Sequence, residues 1–165
     1  MAEEAWLGGK LEGYALVLMP AAHALTQAIV DLKSAASDLP AEELTARPNG
    51  AASVAFHLRH IAGSCDRLLT YARGGELTDE QFEFLKNETS DDFDQSAEEL
   101  VARAVAAIEN TLWFCKMLSP EKLFEERFVG RKKLPTNVFG LLFHIAEHTA
   151  RHVGQATTTA RIVRK

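Results

Sequence analysis

The stretch FHIAEHTARHVGQ (residues 143–155) carries His144, His148 and His152 at steps of four. A helical residue turns about 100°, so a step of four drifts by only about 40°. The three imidazoles therefore stand one turn apart on one face of one helix. A second stretch, FHLRHIAGSCDRL (residues 56–68), carries His57 and His60. Five of the six histidines thus fall in two helical clusters. Two histidines at i and i+4 can grip one metal ion. The pattern predicts two helices that meet in a bundle and hold a metal ion between them.

The rest of the chain has the material for such a bundle. Its 165 residues suit one domain, 1–165, with a real core. At 47% apolar and 25% charged it has the balance of a folded globular chain rather than a disordered one. The longest apolar runs, such as residues 14–19, are far too short for a bilayer. No basic segment followed by an apolar one marks a signal peptide. A net charge of −5 disfavours nucleic acid, which needs a basic face. Cys65 and Cys115 lack metal or redox spacing and read as buried thiols in a reduced, cytoplasmic setting.

Four long helices can be read in order, with short helices in the connections. Residues 1–13 form a polar lead with Trp6 as its anchor. The first helix lies within 14–37, where Pro20 marks either its first turn or a kink. Ser53 caps the second, which runs to about Arg73 and ends at Gly74-Gly75. Thr78 and Gln81 form a capping box for a short helix reaching about Lys86. Residues 87–95 are an acidic connector. Ser96 and Glu99 open the third long helix, to about Leu118, with Val101, Val105, Ile108, Leu112 and Cys115 as its apolar stripe. Residues 124–135 are a loop or a small hairpin, with Arg131, Lys132 and Lys133 as a solvated run. Thr136 or Asn137 starts the last helix, to about Val163. No convincing strand alternation occurs. The fold class is all-α, a four-helix bundle, either up-down or with long crossovers.

On the second helix, His60 shares a face with Ser53, Ser64, Arg67 and Tyr71, while His57 is displaced by about 60°. On the last helix, Gln155 and Thr159 continue the face of His148 and His152. An inward polar stripe is expensive unless paired or solvated, so two of them suggest a cavity between these helices. Neutral imidazoles would leave an ion its full charge, enough to deprotonate a bound water or thiol near neutral pH. Asp66 and Glu147 are candidates to orient the ligand rings. Arg67 reads as an ion-pair partner in the bundle or as a binder of substrate anions, Tyr71 as core with its hydroxyl at the rim, and His23 as structural. Glu147 precedes His148 where a zinc-protease helix would need a Glu after its first histidine, so that mechanism is not available.

The pattern SVAFHLRHIAGSCDRLLTYARG followed by LLFHIAEHTARHVGQ resembles the DinB-like superfamily of metal-binding four-helix bundles. The resemblance implies a ligand triad of one histidine on the second helix and an HxxxH pair on the fourth, commonly followed by Gly-Gln. Those positions match His60, His148 and His152, with Gly154-Gln155 behind them. His57 is additional, and Val153 stands where many relatives carry Arg, at what would be the rim of the site. His57, Ser64, Arg67, Tyr71, His144 and Gln155 are candidates to surround the metal or the substrate. The family includes metal-dependent, low-molecular-weight-thiol transferases and isomerases, such as bacillithiol S-transferases and mycothiol-dependent maleylpyruvate isomerase.

The resemblance therefore implies a metal-dependent, thiol-transferase-like enzyme holding a divalent ion, zinc or nickel, with a thiol cofactor, a small-molecule substrate and a homodimeric state. It implies no nucleic acid and no membrane partner. A metal-binding scaffold or sensor without turnover, and a hydrolase using metal-bound hydroxide, are the alternatives.

Overall fold

The structure, a computed structural model, describes residues 4–164. Residues 1–3 of the expected lead and residue 165 of the expected domain lie outside the described residues. The elements are α1 (Met19–Ala36), α2 (Ala41–Thr45), α3 (Val54–Ala72), α4 (Asp79–Asn87), α5 (Ala97–Met117), β1 (Glu126–Val129), β2 (Leu134–Asn137) and α6 (Val138–Val163).

The helix starts follow local chemistry. The Ser53 hydroxyl accepts from the Phe56 amide at 3.2 Å, and the Asn137 side chain accepts from the Gly140 amide at 2.8 Å. Thr78 with Gln81, and Ser96 with Glu99, form the two reciprocal capping boxes that their spacing predicts. Pro20 lies in the first turn of α1, where its missing N–H costs nothing, so it starts the helix rather than kinking it. Trp6 is 61% exposed, so it does not anchor the lead as its isolation in a polar stretch suggests.

α1 and α3 each pack against both α5 and α6. Consecutive long helices α1 and α3 therefore sit across the bundle from each other, as do α5 and α6. The two connections that must cross the bundle are the ones carrying α2 and the hairpin. The chain is an all-α bundle with crossovers and one small two-stranded sheet.

The hairpin answers the question that periodicity left open over 124–135. β1 and β2 pair antiparallel, Val129 opposite Leu134, and the turn between them uses positive φ at Gly130 and Lys133. Its four-residue strands are too short and too exposed to show alternation in the sequence. Arg127 reaches from β1 to donate through Nε to the Ala72 carbonyl at 2.9 Å, which satisfies an end carbonyl of α3.

The core is a continuous cluster drawn from every long helix, including Leu25, Leu32, Leu58, Ile61, Ile108, Leu142 and Ile145. Of the predicted α5 stripe, Val101, Val105, Ile108 and Cys115 are buried and Leu112 packs against them from the edge. Among the described residues, no helix is long and apolar enough to cross a membrane. Ile108 is fully buried at the centre. Ile108→Ala should lower unfolding stability by about 2–5 kcal/mol, read by urea titration as a shifted midpoint at constant slope.

Candidate metal centre

α3 and α6 pack side by side, and their histidines meet at the contact. The ligand-type nitrogens of His60, His148 and His152 all lie within 4.8 Å of one another. His60 Nε2 and His148 Nε2 are 2.9 Å apart. A tetrahedral ion with bonds of about 2.0–2.1 Å sets its donors about 3.3 Å from one another, so these rings stand close to ligand spacing. All three side chains are half-buried, which leaves one side of the cluster open toward solvent. Phe56 stacks on the His60 ring at 5.4 Å between centroids and 16° between planes.

His57 takes a different place. It is buried, and its Nδ1 faces His152 Nδ1 at 3.0 Å. One of the two nitrogens donates and the other accepts. With His152 as the donor, its Nε2 keeps the lone pair a metal would need. His144 lies outward. Its Nδ1 pairs with Glu147 at 2.7 Å, and Glu147 also accepts from Arg151 at 2.5 Å. His144, Glu147 and His148 form a second, more exposed group of donor atoms within 4.8 Å.

The orienting carboxylate is one that local pattern does not single out. Glu88, the residue that ends α4, is 3% exposed and is the one buried residue of the stretch 87–95. Its Oε2 lies 2.8 Å from His60 Nδ1, and its Oε1 accepts from Arg67 Nη1 at 2.6 Å. An ionised carboxylate only accepts, so in this contact His60 donates from Nδ1. Asp66 and Glu147, the candidates for orienting the ligand rings, make no hydrogen bond to the triad, although Glu147 stays near His148 while bonded to His144 and Arg151. Asp66 instead accepts from Gln81 at 2.6 Å. His148 Nδ1 is buried without a protein partner, while its Nε2 faces His60 Nε2 at 2.9 Å, so an unprotonated His60 Nε2 goes with a proton on His148 Nε2.

The remaining candidates separate. Arg67 is buried and turned away from α6 toward Glu88. Ser64 is buried and donates to the Ile61 carbonyl of its own helix at 3.3 Å. Tyr71 lines a cleft of ≈ 680 Å³ with Phe82, Phe128 and Arg131, about 16 Å along α3 from His60 at 1.5 Å per residue. Gln155 stays beside the histidines, in a groove of ≈ 780 Å³ lined also by Phe56, His57, His152, Thr159 and Ile162. The cavity expected between the two helices is this open groove, which α3 lines with Phe56 and His57 and α6 with His152, Gln155 and Thr159, while Ser64, Arg67 and Tyr71 do not line it. The imidazoles themselves fill the contact, and the groove runs alongside. Val153 is 4% exposed and belongs to the bundle core, so the residue expected at the rim faces away from the site.

One sequence signal does point toward Glu88. Gly63 interrupts the middle of α3, where glycine weakens a helix unless something approaches closely. A Cβ there would collide with Glu88 Oε1 and stand 2.6 Å from Arg67 Nη1 and from Phe84. The cysteines are inert by comparison. Burial pushes the Cys65 thiol up to about 11 and the Cys115 thiol up to about 12, and both are free.

Burial, reinforced by the neighbouring His60, lowers His57 to about 4 and His152 to about 3. His148 is lowered for the same two reasons. In an unfolded chain these histidines titrate near 6.5. Below that pH the unfolded state binds more protons than the folded state, so acid costs stability. The metal-free protein should therefore lose thermal stability as pH falls from about 6.5 to about 4, and His57→Gln should make that fall shallower. Melting temperature followed against pH in the presence of a chelator measures both.

The described histidines and carboxylate give the site the chemistry of a neutral, three-imidazole cation site with one ring oriented by a buried acid. No curated protein matches the chain. The family model of the DinB superfamily matches residues 24–156, a span that contains every long helix but the first turn of α1 and the last two turns of α6. By this match the chain belongs to the DinB superfamily.

Proposed function

We propose that the protein is a metal-dependent enzyme that activates a small thiol for attack on an electrophilic substrate, with His60, His148 and His152 holding a divalent ion, zinc or nickel. The observation that carries this reading is the convergence of three imidazole donors within 4.8 Å on two rigid helices. A divalent ion held by neutral ligands keeps its charge and lowers the pKa of a thiol or water bound to it.

The chain's own groups would do the rest. His60 is aimed by Glu88 and offers Nε2, while His57 holds the far nitrogen of His152. Phe56 and Ile162 give the adjoining groove an apolar wall, and the Gln155 amide and Thr159 hydroxyl give it hydrogen-bonding groups. That lining suits a small molecule of mixed polarity. The two carboxylates nearest the cluster are already engaged, Glu88 by His60 and Arg67, Glu147 by His144 and Arg151. Neither is free to serve as a general base. This favours a nucleophile that ionises on its own when bound, as a thiol does, over hydrolysis that needs a separate proton acceptor.

Metal content of the purified protein should be about one divalent ion per chain by plasma mass spectrometry, as a three-histidine site would hold. His148→Ala and His152→Ala should each abolish it. In cobalt-substituted protein, an added low-molecular-weight thiol should change the visible absorption. A metal-loaded protein whose cobalt spectrum ignores thiols would instead be a binding module without this chemistry, and a wild type that takes up no metal would end the metal reading.

A further inference from the structure

The buried ion pair under α3 has no counterpart in the groove chemistry. Glu88 and Arg67 are both more than nine-tenths buried, and burying such a pair is not in itself a source of stability. Their geometry points to another use. Each carboxylate oxygen of Glu88 has one donor: His60 Nδ1 at 2.8 Å and Arg67 Nη1 at 2.6 Å. Arg67 sits on α3 two turns beyond His60, and Gly63 lies between them on the same helix. Only the absence of a Cβ at Gly63 lets the carboxylate lie against the helix there.

The carboxylate is also held from its own side. Arg59, likewise on α3, donates to the Ser90 carbonyl at 2.5 Å, and Arg47 pairs with Asp91 at 3.0 Å. The segment that follows Glu88 is therefore anchored at two neighbouring points.

We infer that Glu88 is a positioning residue for the metal site, braced by Arg67 and admitted by Gly63, which holds His60 as the Nδ1–H tautomer and aims its Nε2 at the ion. The inference rests on the metal reading given above. An amide does not reproduce the carboxylate here, because the two donors sit on different oxygens of Glu88. In Glu88→Gln the amide offers one acceptor and turns its NH₂ toward one of the two donors. In Gly63→Ala no ligand changes, but the new methyl pushes the carboxylate away from His60.

Zinc chloride titrated calorimetrically into metal-free wild type, Glu88→Gln and Gly63→Ala tests this, with circular dichroism to confirm folding. Nitrogen-15 spectra of the metal-free wild type report the His60 tautomer. Both variants should bind zinc about 10–100-fold more weakly while remaining helical, and His60 should appear as the Nδ1–H form. Wild-type zinc affinity in either folded variant would overturn the positioning role. So would an Nε2–H His60 in the wild type, a result that stands even if both variants fail to fold. A wild type that takes up no zinc would overturn the metal reading itself and the positioning role with it. A wild type that binds zinc while the variants bind equally would overturn the positioning role alone.

Discussion

Neutral imidazoles packed at one helix–helix contact are the constraint on which the site depends. His60, His148 and His152 lie too close to carry like charges together, and burial further disfavours charge on His148 and His152. Protonating His148 or His152 therefore works against the contact. Neutral rings leave nitrogen lone pairs directed at one another, which is costly without a proton or a cation between them. The fold thus gathers three nitrogen donors that could hold a cation at a contact where charge on His148 and His152 is disfavoured.

The balance of charge beneath the rings follows from it. Glu88 gives one oxygen to His60 and the other to Arg67, so its negative charge is divided between two partners. The result is a donor–acceptor chain in which every polar atom of Glu88 is used. On the outer face of α6, His144, Glu147 and Arg151 form a similar set of partners at i, i+3 and i+4. There the groups are solvated, so the pairing contributes little and constrains little. Burial rather than residue type separates the two clusters.

Membership of the DinB superfamily accounts for the scaffold, and the chemistry lies in what this chain places on it. The crossovers carrying α2 and the hairpin let α3 and α6 lie side by side although α4, α5, β1 and β2 separate them along the chain. Two straight, packed helices hold side chains more rigidly than loops do. The segment that delivers Glu88 is instead a connector, and it is made rigid by arginines reaching out from α3 and from the loop before it. Val153 illustrates the limit of transferring a family pattern by alignment position. It neighbours a candidate ligand in sequence, yet helical rotation turns it into the core.

Sequence alone determined what depends on spacing along one element. Steps of four put His148 and His152 on one face, hydroxyl and amide side chains before apolar runs marked the helix starts, and the α5 stripe named most of its core. Tertiary structure decided whatever depends on groups distant in the chain. It set which long helices are neighbours and the separate places of His57 and His60. It selected Glu88 rather than Asp66 or Glu147 as the partner of His60, and it turned Arg67 away from α6. Periodicity specifies the direction of a side chain relative to its own helix axis. It carries no information on what a connector twenty-eight residues away brings to that face, because that depends on the path of the chain through space.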